Sequence, residues 1–115
     1  MYTIAEIESG LSDINAAWLA GLLEGEGCFG LASAGPYPVI QLRMTDRDIV
    51  ARAVEIVGAG TINVQERSNP RHRAIYYVAW TGATARAVMR ALLPWMGRRR
   101  RARIGEILGA WERRG

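Results

Sequence analysis

The amino-acid sequence predicts an α+β fold in the order αββαββα(α), with a twisted four-stranded antiparallel sheet carrying its helices on one face. Three observations support this. Two pairs of segments alternate apolar and polar residues as half-buried strands do, each pair joined through a Pro-containing turn. A stretch of helical periodicity precedes each pair. Half of the 115 residues are hydrophobic, enough for the core of one domain spanning residues 1–115.

The elements follow in order. Residues 1–10 show weak periodicity through Ile4 and Ile7 and are expected to form an arm or a short lead-in helix. From Ser12 the pattern is helical. Ser12 or Asp13 can cap the first turn; Ile14, Ala17, Trp18, Gly21 and Leu22 share a stripe; Gly25 and Gly27 end the helix. Phe29 and Leu31 would face a core, with Cys28, Gly30 and Ala32 turned away, before a turn at Ala34-Gly35-Pro36. In 38–45, Ile40, Leu42 and Met44 fall on one side, and Val39, Gln41, Arg43 and Thr45 on the other. Asp46 resembles an N-cap for a second helix with the stripe Ile49, Val50, Ala53, Val54 and Val57, stopping at Gly58. Ile62 and Val64 are expected inward, with Asn63, Gln65 and Arg67 outward. A turn at Ser68-Asn69-Pro70 leads to a strand over 73–81 with Tyr76, Val78 and Trp80 inward and Ile75, Tyr77 and Ala79 outward. Both faces of that strand are apolar enough to leave its register open by one residue. A third helix over about 83–93 presents Ala85, Val88, Met89 and Leu92, and Pro94 ends it. A fourth begins in the arginine run and carries Ile104, Ile107, Leu108 and Trp111.

Composition narrows the function classes. No apolar run is long enough to span a bilayer and no signal peptide is visible, so the expectation is a cytoplasmic protein. Cys28 is the only cysteine, which excludes an internal disulfide and zinc-finger spacing. Net charge is +4, and all 15 basic residues are arginine. Arginine forks match phosphates and guanine edges, so the set favours a nucleic-acid partner. Codon bias in a GC-rich genome would produce the same composition.

The first helix combines two unusual features. Ala17, Ala20, Gly21 and Gly25 are small, and Gly21 with Gly25 has the spacing that lets helices approach backbone to backbone. Intramolecular packing accounts for such a face equally well, although glycine within a helix costs about 1 kcal/mol against alanine. Glu24 and Glu26 lie at the C-terminal end, where the helix dipole disfavours acids. They are either solvated surface acids or oxygen donors for a divalent cation, which takes carboxylate and backbone-carbonyl ligands together.

Leu19 to Gly27, LAGLLEGEG, resembles the signature of the LAGLIDADG homing endonucleases of the single-motif, homodimeric type, with glutamates where aspartates are commoner. The order of hairpins and helices fits as well, so the resemblance covers essentially the whole chain. It implies a site-specific DNA endonuclease that makes a Mg²⁺-dependent double-strand break, with Mn²⁺ as another suitable cation, at a long pseudo-palindromic site. The motif helices of two subunits would pack together through Ala17, Trp18, Ala20, Gly21 and Glu24. The last acid of the motif, Glu26, would bind metal with the carbonyl of Gly25. The metals activate water and stabilise the leaving 3′ oxygen in such enzymes. By the same resemblance Asp46 would order water near the cleaved phosphate, in competition with its N-cap role. Arg99, with Arg98 the fallback, would lie near the scissile phosphate. The family often has lysine there; arginine does not deprotonate, so electrostatic stabilisation rather than proton transfer is expected.

The outward strand positions complete the expectation of a DNA-binding saddle. Gln41, Arg43, Asn63, Gln65, Arg67 and Tyr77, with Arg71, His72 and Arg73 at the turn, include the side chains that read purine edges. An ordinary polar solvent face is the plain alternative. Arg98, Arg99, Arg100, Arg101 and Arg103 place positive charge where a helix N-terminus disfavours it, as phosphate contacts would explain. The four tryptophans are expected in packing. Rival functions are a cleavage-inactive DNA-binding regulator of the same fold, or a maturase acting on an RNA intron.

Overall fold

A computed structural model describes Ile7 and residues 11–113 of the chain. The expected arm at 1–10 therefore lies outside the described residues, apart from Ile7, whose side chain is buried in the core. The elements are α1 (Asp13–Glu26), β1 (Gly27–Leu31), β2 (Pro38–Met44), α2 (Arg47–Val57), β3 (Asn63–Gln65), β4 (Ile75–Thr81), α3 (Gly82–Leu92), a 3₁₀ turn (Leu93–Trp95) and α4 (Arg98–Arg113). The fold is α+β, and the element order is the one the periodicities predict. Among the described residues no helix is long and apolar enough to cross a membrane.

The strands form one antiparallel sheet in the order β1-β2-β4-β3. Alternation decides its faces. Phe29, Ile40, Leu42, Val78 and Trp80 point into the core, while Cys28, Gln41, Arg43 and Ala79 are exposed on the other face. The register Ile40↔Trp80 and Leu42↔Val78 resolves the ambiguity of the last strand in favour of Val78 and Trp80 inward. All four helices pack against the sheet's inner face. Trp80 also donates from Nε1 to the carbonyl of Ala59 at 2.8 Å, which joins β4 to the segment after α2. Val64 departs from expectation: it is 51% exposed, because β3 is a three-residue edge strand with no helix beneath it. Trp95 also departs from its expected packing role and is 46% exposed on the 3₁₀ turn.

Helix α1 starts at Ser12, whose Oγ accepts from the Asn15 amide at 3.1 Å. Its inner face is Ala16, Leu19, Ala20 and Leu23. This corrects the predicted stripe: Ala17 and Gly21 are exposed, Ile14 is 78% exposed, and Trp18 and Leu22 are half-buried. The helix is apolar nearly all round, so periodicity alone allowed either side to be the core, and the bulkier leucines occupy it. The helix also runs one residue past Gly25, to Glu26. Gly27 then turns the chain into β1 with an extended backbone, φ −81° and ψ 157°. Glycine is required there by close approach: a Cβ would lie 2.8 Å from the Leu23 carbonyl oxygen and 2.9 Å from Leu23 Cδ2. Gly27→Ala is therefore expected to destabilise the chain by about 1–3 kcal/mol, measured by urea denaturation; an unchanged midpoint would contradict the tight turn.

Candidate nucleic-acid interface and metal centre

The two acids of the motif have opposite surroundings. Glu24 Oε1 accepts from the Gly97 amide at 2.5 Å, and Glu24 Oε2 lies 3.4 Å from Arg100 Nε. That Nε is buried with no aligned hydrogen bond, so the pair is ionic rather than hydrogen-bonded. Arg100 also donates from Nη2 to the Glu24 backbone carbonyl at 3.2 Å, and its guanidinium carbon lies 5.5 Å from the centre of the Phe29 ring. A cation thus sits at the negative end of the α1 dipole and satisfies one carbonyl that helix geometry leaves open. Gly97 permits the approach, since a Cβ there would lie 2.8 Å from Glu24 Oε1. Arg100, predicted to contact DNA, is instead committed within the chain: its side chain is only 19% exposed, between Glu24 and Phe29.

Glu26 is exposed and has no hydrogen-bond or ion-pair partner among the described residues. Gly25, in the same last turn, is exposed too. The Glu26 carboxylate and the Gly25 carbonyl are hard oxygen donors of the kind Mg²⁺ and Mn²⁺ take. They do not make a site alone. Among the described residues no group of three or more His, Cys, Asp or Glu side chains is placed to hold a metal ion.

The other expected catalytic residues approach from two directions. Arg98 and Arg99 occupy the exposed first turn of α4, immediately after the Gly97 amide that binds Glu24. Neither they nor Arg101 has a side-chain partner among the described residues, whereas Arg103 is paired with Glu106 at 3.3 Å. Asp46 follows β2, whose register Gly27↔Leu42 puts this strand's C-terminal end at the Glu26 end of β1. It occupies the N-cap position of α2, and its carbonyl accepts from Ile49 and Val50, but its side chain makes no capping bond. The carboxylate pairs with Arg73 at 3.3 Å, and Arg73 also donates to the Thr45 carbonyl at 3.4 Å.

The outward sheet face is divided. On the β1 side, Cys28, Gly30, Tyr37, Val39, Gln41 and Ala79 are among the residues lining a shallow depression of about 420 Å³. On the β3 side, Arg43 donates to Gln65 Oε1 at 2.6 Å and lies 5.1 Å from the centre of the Tyr77 ring. Asn63 is exposed in the same row and donates from Nδ2 to the Thr61 carbonyl at 3.3 Å. Arg67, Arg71 and His72 lie exposed in the connection from β3 to β4, where the Arg71 amide donates to Asn69 Oδ1 at 3.0 Å.

Of the residues expected at a subunit interface, Ala17 and Gly21 are exposed, and Trp18 is half-buried beneath Arg52 at 4.2 Å. Glu24 is held inside the chain as described. Ala20 is corrected: it is 1% exposed within the chain's own core and has no surface to offer. Sequence reasoning missed the Glu24–Gly97–Arg100 contact. Glu24 is 73 and 76 residues from its two partners, and no periodicity signals the contact; a glycine directly before an arginine run was the only hint.

No protein-family model and no curated protein matches this chain. Solved structures do. The homing endonuclease I-CvuI, bound to its target in the presence of calcium, superimposes with a TM-score of 0.66 at 21% identity, over 84% of this chain and 64% of that one. The archaeal intron-encoded homing endonuclease I-Vdi141I, complexed with DNA, gives 0.58 at 18% identity, over 77% of this chain and 62% of that one. The LAGLIDADG meganuclease I-AabMI, bound to uncleaved DNA, gives 0.62 at 18% identity, over 84% of this chain and 35% of that one. The chain thus spans less than two thirds of each of these proteins. Its fold is that of the LAGLIDADG homing endonucleases, with LAGLLEGEG on the helix that leads into the sheet.

The contrast between the two acids is measurable as stability. Glu24→Ala is expected to lower unfolding free energy by about 1–2 kcal/mol, a value reduced for partial exposure. Glu26→Gln should stay within about 0.5 kcal/mol of the parent. Equal losses in urea denaturation would contradict the assignment of different tasks.

Proposed function

We propose that this chain is a site-specific DNA endonuclease of the homing type, which makes a Mg²⁺-dependent double-strand break at a long pseudo-palindromic site as a homodimer. One observation carries the proposal: Glu24 is bound within the chain, while Glu26, two residues on, is exposed and without a partner among the described residues. An unpaired acid at a helix C-terminus is unfavourable unless a cation joins it. The DNA complexes of the structural neighbours support double-stranded DNA as the partner.

Glu26 and the Gly25 carbonyl would hold the divalent cation, with phosphate oxygens, water and the second subunit completing the shell. When bound, it supplies Lewis-acid activation of water and charge stabilisation at the leaving 3′ oxygen. Asp46, whose carboxylate does not cap α2 and holds Arg73 only through an exposed 3.3 Å pair that phosphate can displace, orients water at the same end of the sheet. Arg99 stabilises negative charge on the reacting phosphate electrostatically, since a guanidinium is poorly suited to proton transfer. Arg98, Arg67, Arg71 and Arg73 bind backbone phosphates, and the outward sheet face lies in the major groove.

The outer stripe of α1 supports the dimer. A Cβ on Gly21 or Gly25 would meet nothing within 4 Å among the described residues, so no packing seen there accounts for either glycine. Their helix-propensity cost, about 1 kcal/mol each, is offset when a twin helix crosses at that stripe, with Ala17 and exposed Ile14 along it.

Two measurements test the reading. The purified chain should cut members of a DNA pool in Mg²⁺ and not in EDTA, and Glu26→Gln should reduce cutting by at least about 100-fold while retaining binding. Tight binding by the parent with no cleavage of any target would favour the regulator. Gly21→Leu, at a position where a Cβ meets nothing within 4 Å among the described residues, should remain folded by circular dichroism yet scatter light as a monomer; a dimer of unchanged mass would remove α1 from the interface.

A further inference from the structure

We infer that Arg43 is a guanine-reading arginine preset by Gln65 and Tyr77, and that Gln65 supports it rather than reading a base itself. This inference rests on the DNA-binding reading above. β2, β4 and β3 carry Arg43, Tyr77 and Asn63 in one cross-strand row, with Gln65 two residues along β3. The Arg43 side chain is exposed, yet it is fixed at two points, by its 2.6 Å bond to Gln65 Oε1 and by the Tyr77 ring at 5.1 Å. Arg67 and Arg71 have no such side-chain support among the described residues, which suits mobile phosphate contacts.

A guanidinium has five N–H donors in a rigid fork. One is directed at Gln65, leaving enough for the paired bonds to guanine O6 and N7. Ordering a long side chain opposes binding, and here much of that ordering precedes contact. Gln65 is altered in the same step. Reading adenine requires an amide oxygen and an amide N–H presented together in one plane, and the bond from Arg43 takes one lone pair of the Gln65 oxygen and turns that amide towards Arg43 instead. On the β1 side of the face Cys28, Gly30 and Ala79 are short, leaving thymine methyls and DNA shape as the features they can sense, and Gln41 is the exposed side chain there able to hydrogen-bond a base edge. Among the described residues of the outward sheet face, Arg43 is the base-reading side chain held by both a side-chain hydrogen bond and a ring.

The test is affinity selection from a randomised double-stranded DNA library in calcium, followed by sequencing, with the full chain and two variants. The parent should select a symmetric site with guanine required at one position in each half. Arg43→Gln should shift that position alone towards adenine, with at least a tenfold loss of guanine preference. Gln65→Ala should keep guanine but weaken the preference several-fold at the same position. Both side chains are exposed, and matching melting curves would establish that the variants fold. The inference is overturned if neither variant changes any position, or if Arg43→Gln weakens all sequences alike, as loss of a phosphate contact does. A parent that selects no DNA sequence would overturn the proposed endonuclease function as well, an outcome distinct from either of these.

Discussion

The C-terminal turn of α1 is held from outside its own helix. Glu24 takes the Gly97 amide, Arg100 covers the Glu24 carbonyl, and Gly27 passes so close to Leu23 that no side chain fits. Three elements meet at that point: the motif helix, the first strand and the arginine-rich helix. Without the carboxylate of Glu24, Gly97 would lose its acceptor and Arg100 would be a largely buried cation without its anion, which is the costly way to break such a pair. The contact also sets function. It half-buries Arg100, leaves Arg98 and Arg99 exposed in the same turn, and leaves Glu26 as the motif acid without a partner among the described residues.

A helix of 14 residues thereby performs three tasks on separate surfaces. Leucines and alanines on one side build the core with the sheet and α3. On the opposite side, Gly21 and Gly25 leave open space among the described residues, which suits a twin helix. The final turn carries the carboxylate suited to a cation. The sheet shows a similar separation, with its inner face closed by helices and its outer face divided between a short-side-chain half and a half organised by Arg43.

Much of this was legible in the sequence because burial follows period. Strand alternation located Ile40, Leu42, Val78 and Trp80 in the core, and the α2 stripe ended at Gly58 as expected. Two kinds of feature were not legible. Where both faces of an element are apolar, as in α1, period cannot choose the core, so Ala20 was assigned to an interface although it lies inside. Where a contact joins distant segments, as Glu24 and Arg43 do with Arg100 and Gln65, charge alone cannot tell a DNA contact from an internal tie. Val64 and Trp95 are exposed for a further reason, since one lies on a three-residue edge strand and the other on the outer side of a 3₁₀ turn.

The central claim is that the two motif glutamates have divided tasks, one holding the fold and the other holding a cation. A crystal of the chain with bound DNA, grown in Mn²⁺ and measured at the manganese absorption edge, tests it most directly. An anomalous peak bonded to the Glu26 carboxylate is expected, with Glu24 still on Gly97 and Arg100. A peak bonded to Glu24, or none near Glu26, would contradict it.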